Sequence, residues 1–366
     1  MRVRTLDRWT NPGPSRTRPK PYRELIANYL LDLVCVPFRI QKFRPLITNF
    51  YLTKRCNLRC KFCYPPGDEP EVDGAAAIEL LEKIRPHNPV LNLTGGEPLL
   101  HEDFRTILRE ARRLRFYPIL LSTNGLIIDR FRDALDQIDH LIITLHSPDP
   151  EVNDTLTGVP GATVQIIRNI RQCAGRAVAR GFSLTLHAVI ASETLGEIER
   201  TLAFCEEIGA TLAVSPEHGT FHPSSALPGN PQYISLIDHL LEAKARGRPV
   251  ASSISYLRAI RAFSSHRCHP YISPRVEPDG RVYFPCQRIG KRAVSLLDYP
   301  DLARLMAAES TIGPADPDCR HRCFLACYLE VDRYIHNPAS LLREEALRGW
   351  IRGRNQGRRT GPWDGS

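Results

Sequence analysis

The N-terminal part of the sequence lacks a run that could cross a bilayer. Its most apolar stretch, YRELIANYLLDLVCVPF (22–38), falls short of the ~20 residues a spanning helix needs and is broken by Glu24 and Asp32. It is no secretory signal either, because it starts late and has no small-residue cleavage site. An even set of cysteines is also missing. There are eleven, which suits metal binding in a reducing compartment, and hence a cytoplasmic protein, better than a secreted disulfide framework. No repeat of solenoid length occurs, and no low-complexity tract lies outside the termini. The middle of the chain lacks excess charge. Of the net +9, residues 1–45 hold +7 and residues 341–366 hold +3, which leaves the rest at −1. No aromatic-interleaved basic stripe accompanies these ends, which argues against nucleic acid as a partner.

What is present fits a globular chain. Its 366 residues can bury a sizeable core, and 42% hydrophobic with 24% charged residues is ordinary. Residues 1–21 are Arg- and Pro-rich and read as a disordered basic tail; residues 341–366 read as a second. Within 22–45, Leu25, Ile26, Tyr29, Leu30, Leu33 and Val34 share one helical face opposite Glu24, Asn28 and Asp32, the pattern of an amphipathic helix. Its basic flank leaves peripheral attachment to the inner membrane face open.

Strand and helix signals then alternate. Apolar, β-rich runs lie at 46–53, 90–94, 118–122, 140–145, 182–190 and 211–215. Helical patterns lie at 75–85, 102–115, 163–178 and 195–207, with further helices at 231–246 and 252–263. Such a series predicts an α/β fold on a parallel sheet, open or closed, and right-handed crossovers leave few other topologies. After about 250 the pattern changes. A β-hairpin is expected over 271–286, with Asp279-Gly280 at its turn, then a short helix near 299–308.

Three cysteines, Cys56, Cys60 and Cys63, crowd into TKRCNLRCKFCYPPG (53–67) without a fourth Cys or His nearby. Structural zinc prefers four ligands, and a redox pair would leave Cys56 idle. Three thiolates on a four-iron cluster would leave one iron open to substrate or cofactor. The position agrees, since loops after barrel strands carry the chemistry.

Cys56-Asn57-Leu58-Arg59-Cys60-Lys61-Phe62-Cys63 after one strand and LTGGEPLL (93–100) after the next resemble the radical S-adenosylmethionine superfamily, over roughly 45–220. The resemblance implies a partial (β/α)6 TIM-like barrel over 46–250. It implies a [4Fe-4S] cluster on Cys56, Cys60 and Cys63, and S-adenosyl-L-methionine held at its open iron. It also implies reductive cleavage to a 5′-deoxyadenosyl radical that abstracts a substrate hydrogen, with flavodoxin or ferredoxin as the reducing partner. The cofactor would lie near Phe62, near Thr94, Gly95, Gly96 and Glu97, and near Ser122 and Asn124. Thr144 and His146 stand where relatives usually read Ser and Asp. His187 lies in the segment that would pack on adenine.

Cys268, Cys286, Cys319, Cys323 and Cys327 follow the barrel. Zinc could take four of them. The arrangement more closely resembles a Twitch or SPASM extension, a small C-terminal iron–sulfur domain over 251–340, which implies an auxiliary [4Fe-4S] cluster on four of the five. Cys319 is then a spare ligand or a hydrogen donor. Glu217 and His218, past the sixth strand, are candidate catalytic or substrate contacts. Cys35, Cys173 and Cys205 read as buried structural thiols. The substrate class stays open between a peptide, a lipid or polyprenoid, and a small metabolite. The 45 residues before the barrel are too few for the leader-binding domain of peptide-modifying relatives. A non-enzymatic iron–sulfur carrier or sensor is the competing class.

Overall fold

The computed structural model describes residues 22–38, 40, 42, 44–63, 70–219, 223–264, 266, 268–309 and 323–339. The tails at 1–21 and 341–366, and Cys319, lie outside the described residues. The elements run α1 (Tyr22–Cys35), β1 (Thr48–Tyr51), α2 (Gly74–Ile84), β2 (Leu91–Thr94), α3 (Phe104–Arg113), β3 (Ile119–Thr123) and β4 (His140–Thr144). Then come α4 (Pro150–Thr157), α5 (Ala162–Arg180), β5 (Ser183–Ile190), α6 (Glu197–Ile208), β6 (Thr211–Pro216), α7 (Pro231–Ala245) and α8 (Ile254–Ala262). Last are β7 (Arg275–Val276), β8 (Arg281–Phe284), β9 (Arg292–Ser295), α9 (Leu302–Ala308) and α10 (Ala326–His336).

One sheet organises the described residues, in the order β6-β5-β4-β3-β2-β1-β7-β8-β9. β1 to β6 are parallel neighbours, the α/β architecture expected. Their alternating residues explain why. Leu91, Leu93, Ile119, Leu121, Leu141, Ile143, Leu184 and Leu186 are buried, and the helices meet them with Leu80, Ile84, Ile107, Ile166, Ile170, Ile198 and Leu202. Each buried aliphatic side chain contributes roughly 1.5–3 kcal/mol. Cys35, Cys173 and Cys205 lie in this core. The other face of the sheet is polar. Ser122 donates to Asn92 (3.0 Å), Asn92 to Asn49 (2.9 Å) and Asn49 to Ser273 (3.0 Å), one row across β3, β2, β1 and the segment before β7.

Two features depart from the simple alternation. The link between β3 and β4 holds two 3-10 turns, Ile128–Phe131 and Ala134–Gln137, in place of an α-helix. The expected hairpin forms with Gly280 at φ +78°, but it extends the barrel sheet itself. β7 pairs parallel with β1, Asn49 opposite Arg275, and antiparallel with β8, while β8 pairs with β9.

α1 packs on its own fold, with a different face inward from the one its periodicity suggests. Arg85 forks onto Glu24 (2.9 Å at both oxygens), and Tyr29 donates to the Tyr334 carbonyl (2.7 Å). Asp32 points inward and is fully buried, accepting from the Arg44 amide at 2.7 Å. That partner arrives from beyond the helix, so local patterning could not anticipate it. Ile26, Leu30, Val34 and Phe38 are left more than half exposed. Among the described residues no helix is long and apolar enough to cross a membrane.

Burial raises the Asp32 carboxyl to about 7, against the smaller lowering by the Arg44 amide and charge. A carboxyl raised this way contributes stability that is complete below its ordinary value of about 3.9 and is lost as pH climbs through 7. Asp32→Asn is therefore expected to flatten the fall in Tm between pH 5 and pH 8. Parallel Tm profiles for the two proteins would refute this.

Candidate functional site

The site lies at the C-terminal ends of the parallel strands. β1 ends at Tyr51, and the loop after it carries Cys56, Cys60 and Cys63. α4, which the sequence reading missed, anchors this loop. The Arg59 amide donates to Thr157 O (2.8 Å) and the Lys61 amide to Leu156 O (2.9 Å). A capping signal was there to find: Asp149 accepts from the Glu151 amide, Pro150 occupies the first turn, and Gly158 closes the helix in the left-handed region.

The three thiols act on one another. Burial raises all three, and Cys60, with Cys63 and Cys56 as its next causes, is pushed up to about 12. Thiols held this way keep their protons until a cation displaces them, since metal-bound thiols ionise. This all-sulfur donor set fits iron. Among the described residues no fourth thiol is placed with them.

Glu97 is the hub beneath the loop. It is fully buried and accepts from the Thr123 hydroxyl (2.8 and 2.9 Å), the Asn124 amide (2.8 Å) and the Leu99 amide (3.1 Å). Burial nevertheless raises its carboxyl to about 7. Asn124 in turn reaches Asn57 Oδ1 (2.7 Å) and Cys56 Sγ (3.6 Å). Gly95 and Gly96 are needed by the chain's own backbone. A Cβ on Gly95, at φ +151°, would lie 2.3 Å from Thr53 O, and one on Gly96 would lie 2.4 Å from Arg55 O.

The remaining expected cofactor contacts gather on the same rim. The Phe62 ring meets His146 edge-on at 5.3 Å. His146 Nδ1 accepts from the Val189 amide (3.2 Å), and His187 lies 3.1 Å from Ser215 Oγ. Burial lowers both histidines, to about 3 and about 4, so both are neutral at physiological pH. Thr144 sits opposite His187 in the β4–β5 register. Thr94 ends β2 and Ser122 belongs to the polar row.

The candidates past β6 are placed differently. Lys61 of the cysteine loop pairs with Glu193 at 2.6 Å, which chiefly raises its ammonium, and Glu217 adds a smaller raise. His218 bridges two backbones: Nδ1 sits 2.8 Å from Pro216 O, and Nε2 accepts from the Phe324 amide at 3.0 Å. It holds the segment beside Cys323.

In the later cysteine group, Cys323 and Cys327 flank the start of α10. Burial pushes them up to about 12 and about 11, and Cys286 raises both further. Cys268 is half-buried in the loop after α8. Burial raises the Tyr51 hydroxyl, and Cys327 and Cys63 raise it further, so Tyr51 lies near a thiol of each group. The Arg275 guanidinium lies over its ring at 3.4 Å and donates to Glu277 at 3.0 Å. Sequence reasoning missed Tyr51 and Arg275, which carry no motif and meet only through the β1–β7 pairing.

These elements define a partial α/β barrel with an open three-thiol site at its strand ends. Residues 50–205 match the family model described as the Radical SAM superfamily. It is 34% identical over 194 residues to the pre-heme d1 synthase of Dinoroseobacter shibae, covering 50% of this chain and 46% of that one. It is 31% identical to the PqqA peptide cyclase of Ruegeria pomeroyi, covering 56% and 57%. The chain thus spans about half the length of the curated relatives it matches. The fold is similar to that of Streptococcus suis SuiB bound to S-adenosylmethionine, with TM-score 0.56, 15% identity, and 73% and 68% of the two chains covered. It is also similar to anSMEcpe with bound AdoMet, with TM-score 0.56, 16% identity, and 73% and 81% covered.

Proposed function

We propose that the chain is a radical S-adenosylmethionine enzyme acting in biosynthesis or in peptide or natural-product modification. The observation that carries this reading is the three-thiol loop, with Cys56 and Cys60 half-buried and Cys63 exposed, packed against Gly95-Gly96 and reached by Asn124. Cys56, Cys60 and Cys63 would hold a [4Fe-4S] cluster, and a cluster with three protein thiolates supplies a vacant iron and one electron for cleaving the bound cofactor. The chain's residues supply position and dryness. Asn124 orients the Cys56 sulfur, and Glu97 fixes Asn124 by accepting from its amide. Phe62, His146 and His187 offer a neutral, largely apolar surface suited to a purine. Thr94, Ser122 and Thr144 offer hydroxyls along the rim. Glu217, past β6, would meet substrate.

Cys286, Cys323 and Cys327, with Cys268 or Cys319 as the fourth, would hold an auxiliary [4Fe-4S] cluster in a Twitch-like unit over 251–340. Flavodoxin or ferredoxin would be the electron donor. Anaerobically reconstituted protein with dithionite is expected to convert S-adenosylmethionine to 5′-deoxyadenosine. Cys60→Ala should abolish this while leaving iron at the later group. No 5′-deoxyadenosine from iron-loaded wild type would sink the reading.

A lipid or polyprenoid substrate at the cytoplasmic membrane face is the second reading. It draws on Ile26, Leu30, Leu31, Val34, Phe38 and Ile40, an exposed apolar set within a segment of charge +7 (residues 1–45). Binding should then require anionic lipid and fail with Val34→Asp. Sedimentation that is equal with phosphatidylglycerol vesicles, phosphatidylcholine vesicles and no vesicles would dismiss it.

A further inference from the structure

Outside both cysteine groups, three ligand-bearing side chains converge on one point. His269 precedes the short turn Pro270–Ile272, and Asp332 and His336 sit one turn apart on α10. His269 Nδ1 lies 2.5 Å from Asp332 Oδ1. His336 Nε2 lies 3.4 Å from His269 Nδ1 and 3.7 Å from the same carboxylate oxygen. Among the described residues this is the one group of three His, Cys, Asp or Glu ligand atoms gathered so closely.

We propose that His269, Asp332 and His336 form a divalent-cation site, with zinc the preferred ion, that pins α10 to the Cys268 loop. A tetrahedral ion ~2.1 Å from each donor needs donor separations of about 3.4 Å. Two sides of the observed triangle are near that value. The third is short, and a small rotation of the carboxylate opens it. Two imidazoles and one carboxylate with an open fourth position are a donor set that suits tetrahedral zinc, and ligand type and geometry rather than raw affinity make the choice. The Asp332 side chain is 3% exposed, so its charge has to be met from within the protein. A His–Asp ion pair would meet that charge with one imidazole; here two address the same oxygen. The His336 side chain is 27% exposed, which gives the ion a path in and leaves a fourth position for water.

The location gives the ion a task. His269 follows Cys268 directly, and α10 begins beside Cys327 and ends at His336. The ion would fasten together two segments that carry cysteines of the later group. That task rests on the auxiliary-cluster reading, but the ion site itself does not.

The test uses full-length, cluster-loaded protein dialysed against zinc and then against buffer, with zinc counted by mass spectrometry and its ligands read by X-ray absorption at the zinc edge. The expected result is about one zinc per chain with a nitrogen/oxygen shell and no sulfur. Asp332→Asn and His336→Gln should each weaken zinc binding by at least about 100-fold in competition with a chelator. The more exposed His336→Gln carries the test if the buried variant does not fold. Zinc at background level, a shell containing sulfur, or full zinc retention in His336→Gln would each overturn the proposal, the last two meaning thiolate capture and an ion pair only. Iron is counted in the same samples. One four-iron cluster per chain would remove the auxiliary cluster without touching the zinc result.

Discussion

A carboxylate with no access to water holds the strand ends together. Glu97 follows β2, takes two donors from the end of β3 and the turn after it and a third from the Leu99 amide of its own segment, and through Asn124 reaches the cysteine loop after β1. Burying such a group is costly unless every lone pair is met. The loop, the two glycines and the end of β3 are therefore fixed relative to one another before any ligand arrives. The glycines are part of the same constraint, because the Thr53–Arg55 backbone occupies the space a Cβ would fill.

That rim sets the chemistry apart from the rest of the barrel. Below it, the buried aliphatic residues of the strands face the helices. On the open face, the Ser122–Asn92–Asn49–Ser273 row keeps the interior polar. β7 adds to β1, and the hairpin it opens leads to Cys286 after β8. Tyr51, stacked under the Arg275 guanidinium, lies near a thiol of each cysteine group.

Much of this was legible in the sequence, for physical reasons. Apolar, β-rich runs marked β1 to β6, and the three crowded cysteines without a fourth marked the candidate site. What was missed depended on distant partners. The inward face of α1 was misread because Asp32 is met by the Arg44 amide. The roles of His218 and Gly95 depend on the Phe324 amide and the Thr53 carbonyl, which no local window contains. Thr144 and His146, a departure from the family pattern, occupy the rim all the same, with His146 buried against Phe62.

The central claim is that Cys56, Cys60 and Cys63 leave an iron open for S-adenosylmethionine. Electron paramagnetic resonance of the reduced, cluster-loaded chain tests it most directly. The account predicts that adding S-adenosylmethionine shifts the spectrum of one cluster, and that Cys60→Ala removes that signal and the shift together. A reduced-cluster spectrum that S-adenosylmethionine leaves unchanged in the wild-type chain would contradict it.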